Sequence, residues 1–361
     1  MNWRYSKWDD SYKLLKDLNS LRSLFNYLLL QSNGDVLEVI QWMKYLQKRN
    51  FINSDLNLDD FLDELIHEQL ILQEDEGFKL TAKGEHQLRQ DSLALVFGNL
   101  RKSGLGTHRV PYAGEGGEPL TETRPYIFGD DINDIDPMGT LHNALIRSGI
   151  EDISISEEDV EVYEREHLSD CATVLLIDIS HSMIIYGEDR ITPAKQVALA
   201  LTELILTRFP KDKLHIVVFG DDAYEITIKD LPYLTVGPYH TNTKAGLQLA
   251  QVLLRRLKYL NKQIFMITDG KPSAIFDQGK LYKNPYGLDP KIVNQTLEEA
   301  SICRRNKITV TTFMVTQDPY LVEFVDNFTK INHGRAYYTS PQTLGEYIFV
   351  DYMKNRKRHL S

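Results

Sequence analysis

At 361 residues the chain exceeds one ordinary hydrophobic core and predicts a larger domain with smaller companions. A hydrophobic share of 42% with 10% aromatics excludes a disordered chain, and a net charge of −10 argues against general binding to nucleic acid or anionic membranes, which needs clustered Lys and Arg. Cys171 and Cys303 are too few for a disulfide scaffold and too far apart for a zinc knuckle. No apolar stretch reaches the length of a membrane span and "MNWRYSKWDDSYKLLKDLNS" lacks a signal-peptide core, so a cytoplasmic protein with no membrane partner is expected.

Residues 1–100 predict a mainly helical, winged-helix-like domain. "SLRSLFNYLLLQ", "VLEVIQWMKYLQKRN" and "LDDFLDELIHEQLIL" repeat apolar residues at steps of three and four, and a short two-strand turn around Gly77 precedes a further helix. A DNA-reading helix should be basic, whereas "LDDFLDELIHEQ" is acidic and would repel phosphate, so this domain is expected to bind protein and not nucleic acid. Residues 101–168 read as a Gly/Pro-rich linker and an acidic connecting segment. The carboxylates of "FGDDINDIDP" do not make a calcium loop, because counting from Asp131 and Asn133 the fifth position is Ile135, which cannot ligate. Asp136 or a neighbour is expected instead to cap a short helix through Leu141 and Leu145.

Residues 169–345 alternate strand and helix. "TVLLIDI", "KLHIVVFG", "KQIFMITDG" and "KITVTTFMV" are apolar runs of the doubly buried, parallel type, "AYEITI" alternates like an edge strand, and "GRAYYTS" supplies a last strand. Helices fall between them, the first opening at Thr192 as N-cap with Pro193 at its first position. The expected fold is therefore α/β, a doubly wound, mostly parallel sheet with helices on both faces, followed over 346–361 by a C-terminal helix and basic tail.

Ligands of such sheets sit at the carboxyl ends of the strands. Asp178 ends the first buried strand, with Ser180 and Ser182 in the turn beyond it, and Asp269 ends another in "IFMITDG". Two bare carboxylates there would repel, and a hard cation, Mg²⁺ or Mn²⁺, resolves the repulsion with the serines as neutral oxygen ligands. Thr241 in "YHTNTKAGL" offers a third hydroxyl, with Thr243 two residues on as the competing choice; His181 should point away from the ion. Asp221 and Asp222 read as a surface turn on the same edge. The insert "GKPSAIFDQGKLYKNPYGLDP" would place Lys271, Lys280, Tyr282, Lys283 and Tyr286 beside the ion, a basic and aromatic rim suited to an acidic partner segment.

Asp178-x-Ser180-x-Ser182, Thr241 within "TNT" and Asp269 within "TDG" together resemble the metal-ion-dependent adhesion site of von Willebrand factor type A (VWA) domains, over about half the chain. The resemblance implies Ser180, Ser182 and Thr241 as direct ligands and Asp178 and Asp269 acting mostly through water, with a partner's Asp or Glu completing the shell. The wider chain looks similar to bacterial cytoplasmic VWA proteins, with CoxE-like proteins and the magnesium-chelatase D subunit as related groups. That similarity implies an adaptor for a MoxR-type AAA+ ATPase in protein remodelling or metal insertion. Catalytic constellations are incomplete: a dehalogenase-type phosphatase needs an acid where Ser180 stands, "DISHS" lacks the glycines of a serine-hydrolase elbow, and no P-loop occurs. A non-catalytic, ion-dependent protein binder is expected, with a Mg²⁺-dependent phosphohydrolase or a nucleic-acid-binding regulator as the alternatives.

Overall fold

The computed structural model describes residues 18–53, 56–74, 77–102, 119–126, 135–149, 154–165, 170–187, 189–259, 261–269, 271–284, 286–315, 319–340 and 343–356. These fall into two compact units: the described residues within Met1–Leu105 and Cys171–Asp351, and those within Gly106–Asp170 and Tyr352–Ser361.

The first unit opens with α1 (Leu18–Gln31), α2 (Val36–Lys48) and α3 (Leu58–His67). Each helix buries one apolar stripe: Leu21, Phe25 and Leu28 from α1, Val39, Met43 and Leu46 from α2, Phe61 and Leu65 from α3. Asp35 caps α2 by accepting the Glu38 amide, and Asn57 caps α3 by accepting that of Asp59. The antiparallel pair β1 (Ile71–Glu74) and β2 (Gly77–Leu80) leads into α4 (Ala82–Lys102), matching the expected order of helices, short wing and helix.

In the second unit β3 (Pro119–Pro125) pairs antiparallel with β4 (Glu161–Arg165) around α5 (Pro137–Ser148). Asp136 caps α5 by accepting the Met138 and Gly139 amides, as the sequence predicts, and Ile135 bridges to Val162. Arg147 grips the buried Asp159 with both Nε and Nη2, which together with the Ser156 amide holds the Asp159 carboxyl well below the usual carboxylate range. The stretch read as a Gly/Pro-rich linker thus ends in a strand, and α4 enters it as far as Lys102. Asp131 and Asn133 lie outside the described residues.

The remaining elements wind a six-stranded sheet and belong to the first unit, except that the last helix passes into the second unit at Tyr352. In chain order they are β5 (Cys171–Asp178), α6 (Ile191–Arg208), β6 (Lys213–Phe219), β7 (Ala223–Ile226), α7 (Thr243–Arg255), β8 (Asn261–Thr268), the hairpin β9 (Ala274–Asp277) and β10 (Lys280–Lys283), α8 (Pro290–Arg305), β11 (Ile308–Met314), α9 (Pro319–Asn332), β12 (Arg335–Tyr338) and α10 (Leu344–Arg356). Spatial order is β12-β11-β8-β5-β6-β7, parallel except for the edge strand β7. Alternate residues of the buried strands face opposite ways. Val174, Leu176, Ile264, Met266 and Val310 join side chains of α7, α8 and α9 in one core. On the opposite face Phe313 stacks on Tyr337, which meets Tyr347 of α10. The chain leaves β5 toward β6 and returns past it to β8. That reversal makes the carboxyl ends of β5 and β8 the topological switch point, where sheets of this kind bind ligands.

The first helix of the sheet region differs from expectation. It begins at Ile191, Arg190 holds the cap position, and the Asp189 carboxylate accepts the Thr192 amide, so Thr192 is a buried residue of the first turn and not the cap. Pro193 is tolerated there because first-turn amides need no helical partner.

Candidate metal centre

Asp178 is fully buried at the last position of β5, where the chain turns out of the sheet. Its Oδ1 accepts the Ser180 amide at 2.8 Å, a local turn that points the Ser180 hydroxyl back over the strand end. Its Oδ2 accepts the Thr268 hydroxyl at 2.5 Å from the neighbouring strand β8. Ser180 Oγ lies 3.0 Å from both Ser182 Oγ and Thr241 Oγ1, and Ser182 Oγ donates to Asp269 Oδ1 at 2.7 Å. Three hydroxyls and two carboxylates from three separate loops therefore meet at one point of the sheet edge. Thr241 fills the third position, while Thr243 is buried in the first turn of α7. His181 is exposed, as the sequence predicts, with its amide donating to Tyr239 O at 3.1 Å.

Electrostatics at this point are costly. Burial first, and the neighbouring Asp269 charge second, push the Asp178 carboxyl up to about 7; burial likewise raises Asp269 despite its bonds to Ser182 and Arg190. Arg190 pairs its guanidinium with Asp269 Oδ2, and the side chain of that aspartate is completely shielded from solvent. Hard oxygen donors around two buried carboxylates are the donor set a divalent ion such as Mg²⁺ or Mn²⁺ accepts. Among the described residues no group of three or more His, Cys, Asp or Glu stands together, so an ion here would lean on the hydroxyls. The residues present fit the ion that the sequence implies.

The insert after Asp269 is a hairpin rather than an open loop, its turn made by Gln278 and Gly279 at φ of 50° and 79°. Ser273 staples it to the site: its hydroxyl accepts the Thr241 amide at 3.0 Å, and its own amide donates to Thr241 O at 3.0 Å. Of the rim residues, Lys283 is bonded to Asp221 at 2.8 Å, and Tyr282 donates to Asp289 at 3.0 Å beneath the Lys291 ammonium. Lys280 and Tyr286 are exposed, Tyr286 by 88%, whereas Lys271 is half-buried. Asp221 also accepts the His240 amide at 2.8 Å, so it ties the loop before Thr241 to the hairpin. Burial works to raise its carboxyl, but the Lys283 ammonium and the His240 bonds outweigh it and hold Asp221 below its usual range. Asp222 sits in a plain surface turn, accepting the amide of Ala223.

Sequence reasoning missed Thr268, Ser273 and Arg190. Thr268 carried a signal, a hydroxyl at the end of an otherwise apolar strand. Arg190 and Ser273 reach the site only through folded loops.

Residues 171–353 match the family described as Rv0959-like protein, vWA domain, and residues 118–165 match the Rv0959-like protein, third domain. The chain belongs to the Rv0959-like vWA family. The second match covers the strands β3 and β4 and the helix α5, so a domain of the family occupies most of what the sequence suggests is a connector. Similar curated proteins are the uncharacterized protein Rv0959 of Mycobacterium tuberculosis and Mb0984 of Mycobacterium bovis, each 34% identical over 294 residues. Those matches take in 79% of this chain and 43% of each relative, so the chain spans less than half their length. Solved structures with a similar fold include the SpRpn10 VWA domain (17% identity, TM-score 0.38, covering 54% of this chain and all of that one) and the PilB minor pilin of Streptococcus sanguinis (14%, 0.41, 57% and 66%). A von Willebrand factor type A protein of Catenulispora acidiphila is 16% identical at a TM-score of 0.39, covering 54% and 44%. Among the described residues no helix is long and apolar enough to cross a membrane.

Proposed function

We propose that the vWA domain is a docking module in which Mg²⁺ or Mn²⁺, held by Ser180, Ser182 and Thr241, receives a carboxylate from a partner protein. One observation carries the reading: the three hydroxyls form a continuous chain at 3.0 Å spacings, ending at 2.7 Å on Asp269, at the carboxyl edge of the sheet. The ion would supply Lewis acidity and a coordination position open to solvent. The chain's own residues do the rest. Thr268 and the Ser180 amide hold Asp178 in one orientation, Ser273 fixes the Thr241 backbone, and the buried aspartates face the hydroxyls from behind. Binding needs no proton transfer or bond cleavage, and Ser180 stands where a phosphatase of this strand-end type would carry its general acid.

The hairpin would guide an acidic segment toward this position through Lys280 and Tyr286, with Lys283 contributing after exchange from Asp221. An AAA+ ATPase of the MoxR type, or its client, is the partner class proposed, and a cytoplasmic setting suits it. The test is recovery of proteins on the tagged chain with Mg²⁺ and again with EDTA. Asp178→Ala should lose every ion-dependent partner while keeping the far-UV spectrum of the wild type. Equal recovery by variant and wild type in Mg²⁺ would refute the docking role, and turnover of phosphate esters requiring Asp178 would replace it with the hydrolase.

A further inference from the structure

The docking reading leaves Arg190 unused. Its guanidinium is 11% exposed, pairs with Asp269 Oδ2, and belongs to the residue that opens α6; its amide donates to Met183 O at 3.1 Å, fixing it against the turn that carries Ser182. Both oxygens of Asp269 are then occupied, Oδ1 by Ser182 and Oδ2 by Arg190. A fixed positive charge beside a cation-binding point opposes the cation, and burial weakens the screening that would hide it.

We infer that Arg190 is a resident counter-charge that weakens ion binding taken alone and makes a partner's carboxylate the group that completes the charge balance. The inference rests on the docking reading. With both aspartates ionised, Arg190 leaves the site one net negative charge, a divalent ion makes it one net positive, and one incoming carboxylate brings it to zero. Without Arg190 the ion alone neutralises the two aspartates, and a carboxylate would add an uncompensated charge. Ion and partner are thereby made to favour each other, a coupling that must be reciprocal.

Mn²⁺ titration of the full chain by calorimetry, with and without acetate as the carboxylate probe, tests this. Arg190→Gln keeps a hydrogen-bond donor for Asp269 and removes the charge. It should bind Mn²⁺ at least tenfold tighter than wild type, about 1.4 kcal/mol. It should also lose the acetate-induced gain in Mn²⁺ affinity that wild type shows. Arg190→Lys keeps the charge and should bind as wild type does, which separates charge from a folding defect. A purely structural arginine would instead give Arg190→Gln weaker or equal Mn²⁺ binding, and that result overturns the inference while leaving the docking reading standing. Absence of Mn²⁺ binding in wild type, Arg190→Gln and Arg190→Lys alike would overturn both.

Discussion

Thr268 supports the site from behind, and replacing it with valine is the cleanest probe of that support. Valine matches the shape but removes the hydroxyl that donates to Asp178 Oδ2 at 2.5 Å, in a position 4% exposed where water cannot substitute. A hydrogen bond to a charged group contributes about 1.5–3 kcal/mol. At 1.4 kcal/mol per tenfold this predicts roughly 10- to 100-fold weaker Mn²⁺ binding, since the bond matters most when Asp178 is an ionised support of the ion. The loss measured for residues that orient metal ligands elsewhere, about 10–100-fold, agrees with that figure. Calorimetric titration of wild type, Thr268→Val and Thr268→Ser would measure it, with the serine restoring most of the affinity. Valine binding Mn²⁺ within twofold of wild type would show that Asp178 needs no hydroxyl behind it, and the assignment of Thr268 as a positioning residue would fall.

Two further perturbations have worked signs. Unfolded Asp178 loses its proton near 4 and the folded residue at about 7, so between those values the folded chain holds more protons and loses stability as pH rises. The stabilising contribution is complete below about pH 4 and gone above about 7; in EDTA the unfolding free energy of wild type relative to Asp178→Asn should fall across that window, Mg²⁺ should flatten the fall, and a difference that rises with pH would contradict the burial argument. Lys195 is fully buried on α6 and donates to Leu30 O at 3.0 Å, Asn33 Oδ1 at 2.8 Å and Pro232 O at 3.3 Å. Lys195→Met orphans two backbone carbonyls at about 1–3 kcal/mol each, partly offset by relief of a buried charge, for a net loss of about 2–4 kcal/mol in urea unfolding; unchanged or increased stability would mean that desolvation dominates.

The sheet was legible because each central strand is a run that is apolar on both faces, and β7 because its residues alternate. The candidate site was legible for a different reason: its side chains sit at strand ends and loop starts, where an aspartate or paired serines interrupt an apolar pattern. Thr241 could be told from Thr243 only by its place in the motif that the sequence resembles, and the structure supplies the physical ground, a hydroxyl 3.0 Å from Ser180. Pattern alone could not yield Arg190, whose partner lies 79 residues away and whose approach depends on the fold of the turn between Ser180 and Asp189. The basic rim was read from charge without its counter-charges: Lys283 faces Asp221 from 62 residues off, so part of its attraction for an acidic partner is already satisfied within the chain.

The domain organisation turns on α6. Its sequence "ITPAKQVALALTELILTR" is apolar almost all round, the mark of a helix buried on every side, and one sheet face cannot cover every side. The N-terminal helices cover the rest: α4 lies along α6, Arg89 reaches the buried Glu203 at 3.1 Å, and Lys195 donates into the end of α1. Charges placed on so apolar a helix need partners from the elements that bury it, and Leu30, Asn33 and Arg89 of the helical segment supply them together with Pro232 O. The helical segment and the sheet consequently form one compact unit, and the helix that locks them together is the one whose first turn follows Arg190 beside Asp269.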